Sequence, residues 1–166
     1  MSFEKVETLL QLCRESGLKL RTAESCTAGA VAALLASVTG ASDVLDRGWI
    51  TYSNQSKIDE LGVSPELLSK HGAVSEAVVR AMASGGVRSG GDVSVDVACV
   101  ALSGIAGPSG GTPDKPVGTV WMAVALPNGE VVAEKYIFQG SRIDIQRQAA
   151  EQAIVLLHQT LKQLMS

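Results

Sequence analysis

The order in which helical and extended patterns follow one another constrains this fold more than any other feature. Residues 3–16 carry apolar side chains at helical spacing, residues 18–24 predict a strand, and residues 26–38 return to helical spacing. Residues 49–52 predict a second strand. Three shorter helices are then predicted to begin at serines, Ser53, Ser64 and Ser75.

The second half of the chain adds a hairpin to this alternation. Residues 93–102 are rich in β-branched side chains and predict a buried central strand. Residues 117–126 and 131–138 predict two strands that pair antiparallel, because a Pro-Asn-Gly turn signal separates them. A long final helix is predicted from Ser141, with an inward face made of Ile145, Ala149, Ile154, Leu157, Leu161 and Leu164. We therefore expect an α/β fold of three layers, with a mixed β-sheet between two layers of helices.

Size and composition exclude several classes of function. A chain of 166 residues with 46% hydrophobic residues predicts one compact domain, residues 1–166. Aromatic residues make up only 4%, which argues against a stacking platform for single-stranded nucleic acid. The net charge is −3 with no basic cluster, so no nucleic-acid partner is expected.

Cysteines, histidines and apolar runs narrow the choice further. The three cysteines do not form a disulfide pattern, and no cysteine or histidine cluster has metal-ligand spacing, so no metal and no cofactor is expected. No apolar run reaches membrane-spanning length and no signal-peptide pattern is present. We therefore expect a cytoplasmic protein with no membrane partner.

Ser25 is the first candidate for chemistry. It stands between the predicted strand 18–24 and the predicted helix 26–38, so we expect it at a helix N-terminus, beside backbone N–H groups that could stabilise an oxyanion. Cys26 is a rival nucleophile, but adjacent residues at a helix start point in different directions. A serine before a helix is also a common N-cap, and both interpretations remain open.

A glycine-rich segment, residues 103–112, directly follows the predicted central strand. Four glycines in ten residues allow the backbone to approach a ligand closely and to aim N–H groups at it. Ligands of open α/β sheets gather at the carboxyl ends of strands, where this segment lies. The segment has neither a Walker A nor a Rossmann pattern, and a plain surface loop is the alternative.

Three cationic residues complete the candidate chemistry. Lys57 follows the end of a predicted strand and could act as the base for Ser25 if burial lowers its pKa, although a solvated lysine is the alternative. Arg142 and Arg147 lie near the start of the last helix, where a cation opposes the helix dipole and so favours a ligand or a carboxylate partner.

The chain resembles the CinA C-terminal domain family, whose stand-alone members are nicotinamide-nucleotide amidohydrolases. The resemblance runs over nearly the whole chain in family order, in residues 23–27, 51–54 with Lys57, 71–76, 103–108 with 110–112, and 116–121. It implies the CinA fold, a homo-oligomer (a dimer or higher), and absence of the separate N-terminal domain of longer family members.

The resemblance also implies an activity, which is hydrolysis of nicotinamide mononucleotide to nicotinic acid mononucleotide and ammonia. The family's serine–lysine pair falls on Ser25 as nucleophile and Lys57 as base. The glycine-rich loop is expected against the phosphate or ribose, with Arg142 holding the substrate. The expected substrate-binding residues are Tyr52, Thr27, Asn54, Ser103, Gly104, Gly107, Gly110, Gly111, Thr112, Arg142 and Arg147.

Two positions depart from the family pattern. Ala28 stands where a glycine is usual, and Ser141 stands where an aspartate is usual before the last helix. A catalytically weakened paralogue that binds a nucleotide, or a regulatory domain that does neither, therefore remains an alternative to the enzyme. Turnover that depends on both Ser25 and Lys57 distinguishes the enzyme from both alternatives.

Overall fold

The computed structural model describes residues 3–166, with Phe3 described by its backbone alone. Six α-helices and five strands follow the predicted order. The helices are α1 Phe3–Ser16, α2 Ala30–Ala36, α3 Asn54–Leu61, α4 Pro65–His71, α5 Glu76–Arg88 and α6 Arg142–Leu164. The strands are β1 Lys19–Glu24, β2 Leu45–Ile50, β3 Val97–Gly104, β4 Thr119–Ala125 and β5 Val131–Ile137.

The five strands form one mixed sheet in the order β2-β1-β3-β4-β5. Strand β1 pairs in parallel with β2 and β3, whereas β4 pairs antiparallel with β3 and with β5. Helices α1, α2 and α6 cover one face and α3, α4 and α5 the other, each over its own buried apolar cluster. The predicted three-layer α/β fold, its mixed sheet and its hairpin are confirmed.

Three predicted element starts and one predicted inward-facing residue are wrong. Helix α2 begins at Ala30 rather than residue 26, because a turn occupies the intervening residues. Strand β3 begins at Val97, because Asp92 and Ser94 form a hydrogen-bonded turn before it. Strand β2 starts at Leu45 rather than at residue 49. It is an edge strand with exposed polar side chains, so its first residues lack the apolar alternation that predicts a strand. Leu164, which was predicted to face inward, is 40% exposed at the end of α6.

The parallel strands position the candidate site. Because β1, β2 and β3 run the same way, their carboxyl ends lie at one edge of the sheet. The segments that follow them begin at Ser25, Thr51 and Ile105, so residues far apart in sequence meet there. Among residues 3–166, no helix is long and apolar enough to cross a membrane.

Candidate active site

The backbone of Ser25 is fixed by the neighbouring strands. Its N–H donates to the Leu102 carbonyl oxygen at 3.1 Å, which extends the β1–β3 pairing by one residue. On the other side, the Thr51 N–H donates to the Glu24 carbonyl oxygen at 2.7 Å. The sheet therefore holds the residues just before and at the candidate nucleophile.

Lys57 meets Ser25 inside the protein. Its Nζ lies 3.0 Å from Ser25 Oγ and donates to the Thr51 carbonyl oxygen at 2.6 Å. Ser53 caps helix α3 by accepting from the Ser56 N–H, and this start places Lys57 on the inward side of the first turn. Lys57 is 1% exposed and Ser25 8% exposed, so the two side chains are in contact and largely shielded from solvent.

Burial is the main influence on the pKa of Lys57. Desolvation lowers the pKa of its ammonium group from the ordinary 10.5, and Cys26 acts in the opposite sense. In the described part of the chain, Lys57 forms no ion pair that would hold its proton. The neutral amine, which can accept a proton, is therefore more populated than in a solvated lysine.

Glu24 corrects the expectation that Ser25 lies at a helix N-terminus. Helix α2 begins five residues later, and its first N–H groups donate to the buried Glu24 carboxylate, from Gly29 and Val31 to Oε2 and from Ala32 to Oε1. Those donors are occupied and unavailable to an oxyanion. The sequence analysis gave Glu24 no role of its own, and its place in the segment of family resemblance, residues 23–27, was the available signal.

The glycine-rich loop is held in place at its base. The Ile105 N–H donates to the Thr119 carbonyl oxygen at 2.9 Å, and the Gly118 N–H to the Ile105 carbonyl oxygen at 2.7 Å. Within residues 3–166, no acceptor takes the N–H groups of Gly107 and Gly110, both of which have positive φ. The loop therefore offers free donors beside the cleft.

Arg142 connects three segments around the cleft. Its Nη1 donates to the Gly107 carbonyl oxygen at 2.8 Å and its Nη2 donates to the Tyr52 hydroxyl. These contacts join the start of α6 to the glycine-rich loop and to the end of β2. The departure at Ser141 leaves this arrangement intact, because Ser141 and Asp144 form a capping box that begins α6.

The candidate cleft has a volume of about 290 Å³ and opens at this edge of the sheet. It brings together eight predicted residues: Ser25, Lys57, Tyr52, Ser103, Gly104, Gly107, Gly110 and Arg142. Its other lining residues are Cys26, which was weighed as a rival nucleophile, and five that were not predicted individually: Ala73, Val74, Ile105, Ala106 and Ser109. Ala73 and Val74 lie in a segment of family resemblance, which was the available signal for them.

Five predicted binding residues are not among those that line the cleft. The buried Thr27 hydroxyl donates to Glu24 Oε2, and Asn54 is exposed in the first turn of α3. Arg147 lies near Asp144 and Glu151 on its own helix, which gives its charge acidic neighbours there. Gly111 and Thr112 lie further along the glycine-rich loop, where Thr112 turns back onto Lys115.

Cys26 lines the cleft but is poorly suited to act as the nucleophile. Burial raises the pKa of its thiol to about 12, and the Glu24 carboxylate adds to the rise. The reactive form of cysteine is the thiolate, which is scarce at neutral pH with such a pKa. Within residues 3–166, no three His, Cys, Asp or Glu side chains group as metal ligands.

Comparison with known proteins identifies the family of this chain. The sequence profile of the CinA C-terminal domain matches residues 3–161. The chain is 43% identical to the nicotinamide-nucleotide amidohydrolase PncC of Escherichia coli K12, over 95% of this chain and 93% of that protein. It is 52% identical to a CinA-like protein of Anaeromyxobacter sp. strain K over 88% of this chain, but spans only 35% of that relative.

The first CinA-like relatives are longer than this chain, which spans 33% of the protein from Akkermansia muciniphila and 34% of that from Syntrophobacter fumaroxidans. A solved structure, the competence/damage inducible protein CihA from Agrobacterium tumefaciens, superposes with a TM-score of 0.88 and 37% identity. It covers 96% of this chain and 94% of its own. On the profile match and these identities, the chain belongs to the CinA C-terminal domain family.

Proposed function

We propose that this chain hydrolyses the carboxamide of nicotinamide mononucleotide to nicotinic acid mononucleotide and ammonia, with Ser25 as nucleophile and Lys57 as base. One observation carries the proposal: Lys57 Nζ lies 3.0 Å from Ser25 Oγ in a buried site that opens to a cleft. The relative named nicotinamide-nucleotide amidohydrolase, which matches nearly end to end, supports the substrate.

In the first half-reaction, neutral Lys57 accepts the proton of the Ser25 hydroxyl as Oγ bonds to the carboxamide carbon. The carbonyl oxygen becomes an oxyanion, and the free N–H groups of the glycine-rich loop are our candidates for its donors. Protonated Lys57 then gives its proton to the amide nitrogen. The carbon–nitrogen bond breaks, ammonia leaves, and an ester on Ser25 remains.

In the second half-reaction, Lys57 accepts a proton from water as the water oxygen bonds to the ester carbon. The bond from that carbon to Ser25 Oγ breaks, and Lys57 returns the proton to Oγ. The acid is released and loses its proton to the solvent. The Thr51 carbonyl oxygen, which accepts from Lys57 Nζ at 2.6 Å, keeps the amine aimed at Ser25 throughout.

Arg142 is our candidate for the residue that binds the substrate phosphate. It lines the cleft, and its guanidinium is already held by Gly107 and Tyr52, which limits the ordering needed on binding. The two family departures stay outside these contacts: Ala28 is exposed and Ser141 caps α6. We further propose that residues 1–166 act as one catalytic domain, in a cytoplasmic homo-oligomer.

The test is ammonia release from nicotinamide mononucleotide by purified protein, with chelator present. Ser25→Ala and Lys57→Ala are predicted to abolish release. Ser64→Ala and Lys70→Ala, a capping serine and an exposed lysine on α4, are matched controls that should retain it. Nucleotide binding without turnover by the folded wild type would instead support the weakened paralogue, and neither binding nor turnover would support a regulatory domain.

A further inference from the structure

Glu24 is a fully buried acid that the proposed reaction does not use. It is the last residue of β1, directly before the nucleophile, and its exposure is 0%. Acids are almost never fully buried unless hydrogen bonds satisfy them, because moving an ionised carboxylate out of water is costly. The contacts of Glu24 therefore show what the burial achieves.

Four donors surround the Glu24 carboxylate, and all come from the eight residues that follow it. Oε2 accepts from the Thr27 hydroxyl at 2.7 Å and from the N–H groups of Gly29 and Val31 at 3.0 and 3.1 Å. Oε1 accepts from the Ala32 N–H at 2.9 Å. The chain from Ser25 to the first turn of α2 therefore wraps around one side chain.

This wrapping fixes the turn that carries the nucleophile. At its start, the sheet holds Ser25 through the Leu102 carbonyl oxygen, and at its end the carboxylate holds the N–H groups of α2. Between these anchors, Gln146 of α6 donates to the Cys26 carbonyl oxygen at 2.8 Å. With both ends of so short a turn fixed, the position of Ser25 Oγ depends on the Glu24 side chain.

The backbone of Glu24 is also connected to Lys57, by two hydrogen bonds through Thr51. Its carbonyl oxygen accepts from the Thr51 N–H at 2.7 Å, and the Thr51 carbonyl oxygen accepts from Lys57 Nζ at 2.6 Å. A displacement at the end of β1 would therefore be felt on both sides of the 3.0 Å contact between Ser25 and Lys57. Helix capping alone does not require this double connection.

We infer that Glu24 is a positioning residue for the nucleophile: its buried carboxylate gathers the following turn and thereby sets the distance between Ser25 Oγ and Lys57 Nζ. This inference rests on the proposed function only where turnover is the readout. The geometry that it concerns can be measured whether or not the protein turns over nicotinamide mononucleotide.

Glu24→Gln is the sharpest variant, because glutamine has the same size but replaces one acceptor oxygen by an NH₂ group. That NH₂ must face one of the N–H donors at the start of α2, so the turn has to shift. A misplacement of about 1 Å lowers turnover roughly hundredfold. We predict a fall in kcat of that order with KM changed by less than about twofold, since the carboxylate does not line the cleft.

The matched control is Ser64→Ala, which removes the side-chain cap of α4 far from the nucleophile. It lowers thermal stability through the same kind of lost cap but should leave kcat unchanged. If both variants lowered kcat in proportion to their loss of Tm, Glu24 would be a helix cap only and the inference would be wrong.

Thr27 provides a milder pair if Glu24→Gln does not fold. Thr27→Val keeps the side-chain volume and removes one donor to Glu24, so kcat should fall by about tenfold. Thr27→Ser keeps the hydroxyl and should restore most of the rate. Equal rates for these two variants would contradict the inference.

A crystal structure of Glu24→Gln, or of Thr27→Val, separates this inference from the proposed function. We expect residues 25–29 to move and the contact between Ser25 Oγ and Lys57 Nζ to lengthen beyond hydrogen-bond distance. An unchanged contact would overturn the inference even with an active wild type. An inactive wild type together with a displaced turn would overturn the proposed function and leave the positioning role supported.

Discussion

Two buried cations, Arg21 and Lys57, have nearly equal exposure and opposite surroundings. Arg21 is 2% exposed, and its Nε donates to Asp46 at 2.7 Å while its Nη1 donates to three carbonyl oxygens, of Gly86, Val87 and Ser89. Lys57 is 1% exposed and meets only a hydroxyl and one carbonyl oxygen among the described residues. The fold therefore stabilises one charge and disfavours the other.

This difference separates a structural cation from a chemical one. Arg21 ties β1 to β2 and to the end of α5, and its charge is paired with the Asp46 carboxylate. Lys57 lacks a carboxylate partner, so burial acts on it without compensation and lowers its pKa. The stability of the fold depends on the first, and in our account the chemistry depends on the second.

The largest expected effect comes from Lys57→Arg, which places a permanent cation beside Ser25. With no base to accept the hydroxyl proton, turnover should fall by about 10²–10⁴-fold, the contribution of general base catalysis. Ammonia release under saturating substrate measures it, and circular dichroism checks that the variant folds. Retained turnover would show that Lys57 is not the base.

Arg21→Lys is the matched exchange at the other cation. It keeps the charge next to Asp46 but loses most of the hydrogen bonds to the end of α5, so stability should fall by about 2 kcal/mol. Turnover should change by less than about twofold. A large loss of turnover here, with unaltered stability, would remove the distinction between the two cations.

Asp46→Asn should give the next largest effect, since it leaves Arg21 buried without its carboxylate. We expect a loss of about 1 kcal/mol in the free energy of unfolding at pH 7, because Asp46 is exposed and asparagine keeps an acceptor oxygen for Arg21. Urea denaturation measures this loss, and kcat should be unchanged. Although burial acts to raise it, hydrogen bonds from Arg47 and Arg21 hold the pKa of Asp46 below 3.8.

The stability loss of Asp46→Asn should also depend on pH in a definite direction. A depressed carboxyl pKa stabilises the fold above the unfolded value of 3.8, and that stability is lost as pH falls through the folded pKa. The deficit of Asp46→Asn should therefore shrink below pH 3.8. A deficit that stays constant with pH would mean that the charge of Asp46 is not what holds Arg21.

Lys57→Met tests how the lowered pKa of a buried cation makes stability depend on pH. In the window between the lowered pKa of folded Lys57 and 10.5, the unfolded chain binds the extra proton, so wild-type stability rises with pH. Methionine does not titrate there. The stability of wild type relative to Lys57→Met should therefore increase across this window, by about 1.4 kcal/mol for each unit of lowered pKa; a flat difference would contradict the account.

The smallest expected effect is at Ala28, in the turn that carries Ser25. Ala28 has a φ of 49°, a left-handed conformation that costs an alanine more than a glycine. Ala28→Gly should raise the free energy of unfolding by about 0.5 kcal/mol, the strain relieved exceeding the added freedom of the unfolded chain. Turnover should stay within about twofold; a large gain would indicate that Ala28 weakens this family member.

Sequence patterns predicted what local chemistry determines. The start of α6 at Ser141 and the hairpin between β4 and β5 follow from neighbouring residues, and both were found. The start of α2 was misplaced, because its cap is Glu24, a side chain that reaches N–H groups up to eight residues later. Such a cap depends on where the strand ends, which a periodic pattern does not fix.

The candidate site divides in the same way. Ser25 and Lys57 were proposed as a nucleophile and its base from their places after two predicted strands, and the family resemblance then supported the pair. The structure brings them together because parallel strands end at one edge. Arg147 was grouped with Arg142 by its place near the helix start, yet it lies against its own helix's acids. Arg142 and Arg147 lie at different angles around the helix axis, and only Arg142 lines the cleft.

The most direct test of this account is an NMR titration of Lys57 in protein labelled with ¹³C at lysine Cε, with Lys57→Met used to assign its signal. The account predicts that Lys57 loses its proton below the ordinary 10.5, because it is buried without a carboxylate partner. It also predicts that kcat/KM for nicotinamide mononucleotide rises with pH through the same midpoint. A Lys57 signal that titrates at or above 10.5 would mean that the amine is not available as a base, and the serine–lysine mechanism would be wrong.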